Sequence, residues 1–280
     1  MKLSSIHTKY WLVFCLLSIF LLTGCVSASP GYNKTSSILI ECMADIVQAE
    51  VTDFRHSADE TVKYYQEVGL LLNKPVTIVL TRNRKAFLME AASRFGISEI
   101  EVNRVGKGVD ALSGNSLIVI NVDGTPTPRQ RTFLLAHELT HQYQRQLAGA
   151  KAGEVKWMLE GMAEAVGAQV VARQGFMSIE QYKTNWQTGI SIAANKPSLT
   201  ALRTNQDWSN ALSVYGSGLT YKTAGLSNLI LFEQYGIQRG IKYFEELGKG
   251  KSSNDAFRNS FEVDMLHFER NMEIYSRKVS

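Results

Sequence analysis

Apolar positions along the chain change their period near residue 125. Ahead of that point short runs alternate with helical stretches. Ile38 to Val68 carries helical spacing, with a break expected near Ser57. Val76 to Thr81 (VTIVLT), introduced by Pro75, predicts a strand, and Arg84 to Phe95 a helix. Val105 to Val122 predicts a β region turning at Ser113-Gly114-Asn115, its strongest strand being Leu117 to Val122. Beyond Gly124 the spacing is helical almost throughout. The order predicts an α+β chain: a mixed α/β lobe over residues 38–150, a helical lobe over 151–280, and a long helix at their junction.

That junction helix has a legible start. Thr127 can cap it, Pro128 suits the first helical position, and Gln130 stands where the partner in a capping box belongs. Inside it runs His137-Glu138-Leu139-Thr140-His141. Histidines four apart share a helix face, where two imidazoles can hold one metal ion. Glu138 is turned by about 100° from His137, so it can act on a metal-activated water without being a ligand. With only five His in the chain, the chance of His-Glu-x-x-His arising from composition is on the order of 0.006. A ligand pair is therefore favoured over two packed core histidines.

A catalytic zinc site usually takes three protein ligands and keeps one position open. The helix expected over Glu154 to Arg173 offers Glu160, which follows a large apolar cluster, an odd place for a merely solvated carboxylate. The intervening stretch, 142 to 159, is long enough for a turn and a returning helix. Glu164 lies on the same face as Glu160. It reads either as an exposed carboxylate or as an acceptor for the outer nitrogen of a ligating His.

His-Glu-x-x-His followed at this distance by Trp157-Met158-Leu159-Glu160-Gly161-Met162-Ala163-Glu164 resembles the gluzincin metallopeptidases, which include thermolysin-like enzymes and zinc aminopeptidases. The resemblance covers roughly Leu117 to Tyr275. It implies a thermolysin-like catalytic domain and one Zn2+ per chain on His137, His141 and Glu160. It also implies Glu138 as general base, Glu164 as the carboxylate behind a ligand, and a peptide or protein as substrate. Tyr221, followed by an apolar run to Glu233-Gln234-Tyr235-Gly236, is similar to the family's Tyr helix. Tyr221 is thus the first candidate for an oxyanion donor and Tyr215 the second; either could instead be a packing aromatic. Asp255 to Glu269 resembles the closing helices. The strand Leu117 to Val122 stands where gluzincins have the sheet edge that bounds the cleft, although its apolar faces equally suit a buried strand. The aminopeptidases' Gly-x-Met-Glu-Asn segment has only Met89-Glu90-Ala91 as a near match, without the Gly and Asn, which favours an endopeptidase.

The N-terminus suggests an address. Lys2 and Lys9 precede an apolar run from Tyr10 to Leu22, too short to span a bilayer comfortably. Leu22-Thr23-Gly24-Cys25 resembles the bacterial lipobox, whose Cys carries lipid. The expectation is a lipoprotein signal over 1–25, lipidation at Cys25, a tether over 26–37 and a membrane-anchored protein of the bacterial cell envelope. In a Gram-negative host Val26 fits the outer-membrane pattern. An ordinary cleaved signal, or a short membrane anchor, with an incidental Cys is the plainer alternative. Cys42 is then the one cysteine left for the fold, and reads as a small buried hydrophobe.

Net charge is +4, and +2 without the first 25 residues, so nothing points to nucleic acid. His56 and His267 are isolated, Gly106-Lys107-Gly108 lacks the rest of a phosphate loop, and Lys242 to Lys251 reads as a solvated helix end. A zinc-retaining envelope scaffold without catalysis remains the competing function. Hydrolysis of a cell-wall peptide is a further option within the leading one.

Overall fold

The computed structural model describes residues 38–277. The signal, Cys25 and the tether expected over 1–37 lie outside the described residues. Four strands form one sheet in the order β1-β2-β4-β3: β1 (Ile38–Cys42), β2 (Val76–Thr81), β3 (Ala111–Gly114) and β4 (Leu117–Asn121). β1, β2 and β4 run parallel, and β3 returns antiparallel on β4. Before and between the later strands lie α1 (Gln48–Glu67), α2 (Asn83–Phe95) and α3 (Glu99–Val105). Then follow α4 (Pro128–Ala148), α5 (Lys156–Arg173), α6 (Ile179–Ser191), α7 (Asn205–Tyr235), α8 (Ile237–Gly248), α9 (Ser253–Phe261) and α10 (Met265–Arg277).

Residue alternation explains why the central strands are apolar on both faces. Ile78, Leu80, Ile118 and Ile120 point to one side, into the core shared with α1 and α4. Val79 and Val119 point to the other, against Phe87 and Ala91 of α2 and Val102 of α3. The larger core runs without interruption from Ile40 in β1 through Leu135 and Leu139 in α4 to Trp157, Phe257 and Met272. α4 lies against the sheet, α1, α5 and α8 at once. Even its polar residues Thr132, Thr140 and Gln144 are buried.

Several sequence expectations change here. Ile38–Cys42 is a strand rather than the start of a helix, because its backbone groups pair in register with Val76–Leu80. α1 passes Ser57 without a break: the hydroxyl donates back to the Asp53 carbonyl at 2.7 Å and meets Thr132 Oγ1 at 2.9 Å. Val105 ends a helix, α3, that apolar spacing alone did not reveal. β4 is flanked on both sides, by β2 and β3, so the sheet edge on this side is β3. Lys242 to Lys251 is not merely solvated, since α8 buries Tyr243, Phe244 and Leu247 on its inner face. Cys42 is half-buried and packs on the main core. Among the described residues no helix is long and apolar enough to cross a membrane.

Candidate metal centre

α4 begins as its sequence predicts. Thr127 Oγ1 accepts from Gln130 N, and Thr127 N donates to Gln130 Oε1 at 3.2 Å, closing a capping box with Pro128 in the first turn. This fixes the phase of the helix, and with it the direction in which His137 and His141 point. α5 returns alongside α4 and brings Glu160 to the same place. Close approach of α7 to α5 depends on Gly161: a Cβ there would collide with Asn228 Nδ2 and the Ala224 carbonyl. A side chain at this position would push α7 away from the ligand helix.

Three atoms then converge. His137 Nε2 and His141 Nε2 are 3.1 Å apart, and Glu160 Oε2 is 3.4 Å from each. Ligands bound tetrahedrally at about 2.0–2.1 Å would stand about 3.3–3.4 Å from one another. The triangle therefore fits one ion of zinc's size and preference without rearrangement. Among the described residues this is the one cluster of His, Cys, Asp and Glu side chains so arranged. All three residues are buried, as are Glu138 and Glu164.

Each histidine has its outer nitrogen occupied, which sets the tautomer. His137 Nδ1 donates to Glu164 Oε1 at 3.0 Å. His141 Nδ1 lies 2.7 Å from Gln144 Oε1, and the Gln144 amide donates to the Leu159 carbonyl at 2.9 Å. Since that amide group is the donor, its oxygen is the acceptor, so His141 carries its proton on Nδ1. Both Nε2 lone pairs are thereby turned toward the shared point.

Electrostatics tell the same story. Burial disfavours a charged His137, yet hydrogen bonds to Glu160 and Glu164 and the Glu164 and Glu138 charges outweigh it and push its pKa up to about 10. Burial likewise works against an ionised Glu160, but His141, His137 and Lys156 hold its pKa well below the usual range. The cluster thus favours a charged imidazole at His137 against an ionised Glu160.

Tyr221 is the aromatic beside this centre. Its ring lies 6.1 Å from that of His137 and packs edge-on to Trp208 at 5.1 Å. Burial and the charges of Glu160, Glu164 and Glu138 raise its pKa well above 10, so the phenol keeps its proton and can donate. α7 breaks at Gly216, with φ of 78° and ψ of 161°, a conformation suited to Gly. The break separates Tyr215 from the segment that carries Tyr221. Tyr215 is half-buried on the main core, and His137's ring partners are His141 and Tyr221.

Sequence reasoning missed five residues here. Gln144 could have been found as a polar residue one turn beyond a ligand. Lys156, one turn before Glu160, donates to Glu160 Oε1 at 2.8 Å. Trp208 carried no signal linking it to Tyr221. Arg145, with Gln142, reaches the β3 edge: Arg145 Nη2 donates to the Ser113 carbonyl and Gln142 Nε2 to that of Gly114, both at 2.9 Å.

No family model and no curated protein matches the chain. Solved structures do. The M1 zinc metallopeptidase from Deinococcus radiodurans aligns with a TM-score of 0.51 at 13% identity, over 89% of this chain and 49% of that one. A mutant of the M1 zinc metallopeptidase of that organism, bound to a Tyr-Ser-Ala substrate, aligns with a TM-score of 0.50 at 12% identity, over 87% and 48%. The chain shares the helical α+β fold of these neighbours and spans about half their length.

Proposed function

We propose that this chain is a zinc-dependent peptidase, an endopeptidase held at the bacterial cell envelope through a lipid on Cys25. The observation that carries the enzymatic part is the triangle of His137 Nε2, His141 Nε2 and Glu160 Oε2 with Glu138 and Tyr221 beside it. The fold shared with peptide-cleaving zinc enzymes supports it. The address rests on the sequence of residues 1–25: Lys2 and Lys9, the short apolar run and the lipobox-like ending.

When bound, zinc supplies Lewis acidity, making a water more acidic and a carbonyl more electrophilic. The chain's own residues do the rest. His137, His141 and Glu160 are the ligands. Glu138, one residue from the first ligand, takes the proton of the attacking water and delivers it to the leaving amine. The Tyr221 hydroxyl, kept protonated by its surroundings, donates to the charge that develops on the carbonyl oxygen. Glu164 and Gln144 hold the imidazoles in the ligating tautomer.

Endopeptidase action is favoured over amine-terminal trimming because Glu90, the nearest match to an amine-binding Glu, is engaged elsewhere. It pairs with Arg94 on α2 at 2.7 Å, and Arg94 also reaches Glu41.

Metal analysis combined with cleavage of an unbiased peptide library tests the proposal. Glu138→Gln should keep zinc and lose cleavage. Undiminished turnover in that variant sinks the mechanism. A biological role lost in Glu160→Ala yet kept in Glu138→Gln would instead point to a zinc scaffold.

A further inference from the structure

Lys156 stands in contact with the third ligand, and nothing in the proton chemistry described above requires it. Its Nζ donates to Glu160 Oε1 at 2.8 Å, while Glu160 Oε2 faces the two histidines. The lysine side chain is 17% exposed and that of Glu160 9%, so the pair is largely shielded from water. The lysine's own position is fixed as well. Its backbone N–H donates to the Arg203 carbonyl at 2.7 Å, and the Arg203 side chain is held by Glu269. A cation so close to a metal site would weaken metal binding by simple repulsion. Its presence there calls for a role that outweighs this.

We propose that Lys156 is a positioning residue that occupies Glu160 Oε1 and so restricts Glu160 to one ligating oxygen, Oε2. A carboxylate with both oxygens free can bind through both and fill a position needed for water and substrate. Lys156 prevents this by hydrogen bonding and charge, and keeps the fourth position open. The idea rests on the zinc reading of the site and adds a specific control over coordination number.

Cobalt(II), which takes the same donor sets as zinc, gives a readout other than activity. Its visible bands weaken as the ion passes from four-coordinate to five-coordinate. The cobalt-loaded wild-type protein should show strong bands. Lys156→Met, which keeps the length of the stem and removes the donor, should show the same metal content with a several-fold loss of intensity. Lys156→Arg should restore the bands. Circular dichroism checks the fold, and Lys156→Leu serves as a second variant should the Met form fail to fold. Equal intensity in Lys156→Met and wild type overturns the proposal while leaving the zinc reading intact. Failure of the wild type to take up cobalt or zinc overturns both.

Discussion

The indole N–H of Trp157 donates to Glu269 Oε1 at 3.0 Å, joining the start of the Glu160 helix to the last helix of the chain. Glu269 is fully buried, and Arg203 grips both its oxygens. Lys156 then donates its N–H to the Arg203 carbonyl. The first turn of α5 is thus fixed by residues more than forty positions downstream, and Glu160, one turn on, inherits that position.

Removing Glu269 should therefore destabilise the whole protein. Glu269→Ala strands the indole N–H and a partly exposed guanidinium, at a cost of about 2 to 4 kcal/mol. Glu269→Gln keeps an acceptor for Trp157 and should cost less. Urea unfolding of the metal-free proteins reads the difference. Equal midpoints for Glu269→Ala and wild type would show that the link contributes nothing.

Gln144 is predicted to act on the metal through His141. Gln144→Leu removes the acceptor for Nδ1 and the tie to the Leu159 carbonyl, so both ligand helices lose a constraint. Zinc affinity should fall by about 10- to 100-fold. Competition with a chelator measures this, and an unchanged dissociation constant would rule out the role.

The two tyrosines separate cleanly. Tyr221→Phe should lower kcat by about 100- to 1000-fold with KM and zinc content little changed, as for loss of one oxyanion donor. Tyr215→Phe, beyond the break at Gly216, should leave kcat as it is. A reversed pattern would exchange their roles.

Local signals were legible where the chain determines its own structure. The cap at Thr127, the histidine spacing and the position of Glu160 all depend on helix geometry, and each reads from a few neighbouring residues. Ile38–Cys42 did not, because its strand state comes from pairing with Val76–Leu80 rather than from its own period. The placement of β3 outside β4 is likewise a matter of sheet order, which apolar alternation does not encode. Gln144 and Lys156 were hidden for another reason. Polar residues on helices are mostly solvated; only the meeting of α4 with α5 gives Gln144 the Leu159 carbonyl, and Lys156 meets Glu160 within its own helix, where Glu160 is buried beside the two histidines.

Acidity should control zinc binding, with a sign that follows from His137. Its folded pKa of about 10 lies above the about 6.5 of a free imidazole. Its contribution to the metal-free fold is therefore complete below about pH 6.5 and lost as pH rises toward 10. Glu160 runs the other way: its pKa is lowered, so its contribution is present above about pH 4.3 and lost as pH falls. Together they favour the metal-free protein most between about pH 5 and 6. Zinc must displace the His137 proton, so its affinity should rise with pH by up to about tenfold per unit through the neutral range. Chelator competition at about pH 6, 7 and 8, corrected for the chelator's own protonation, gives the slope. A flat profile would mean that His137 is already unprotonated in the metal-free protein, and that its contacts with Glu160 and Glu164 do not hold a proton there.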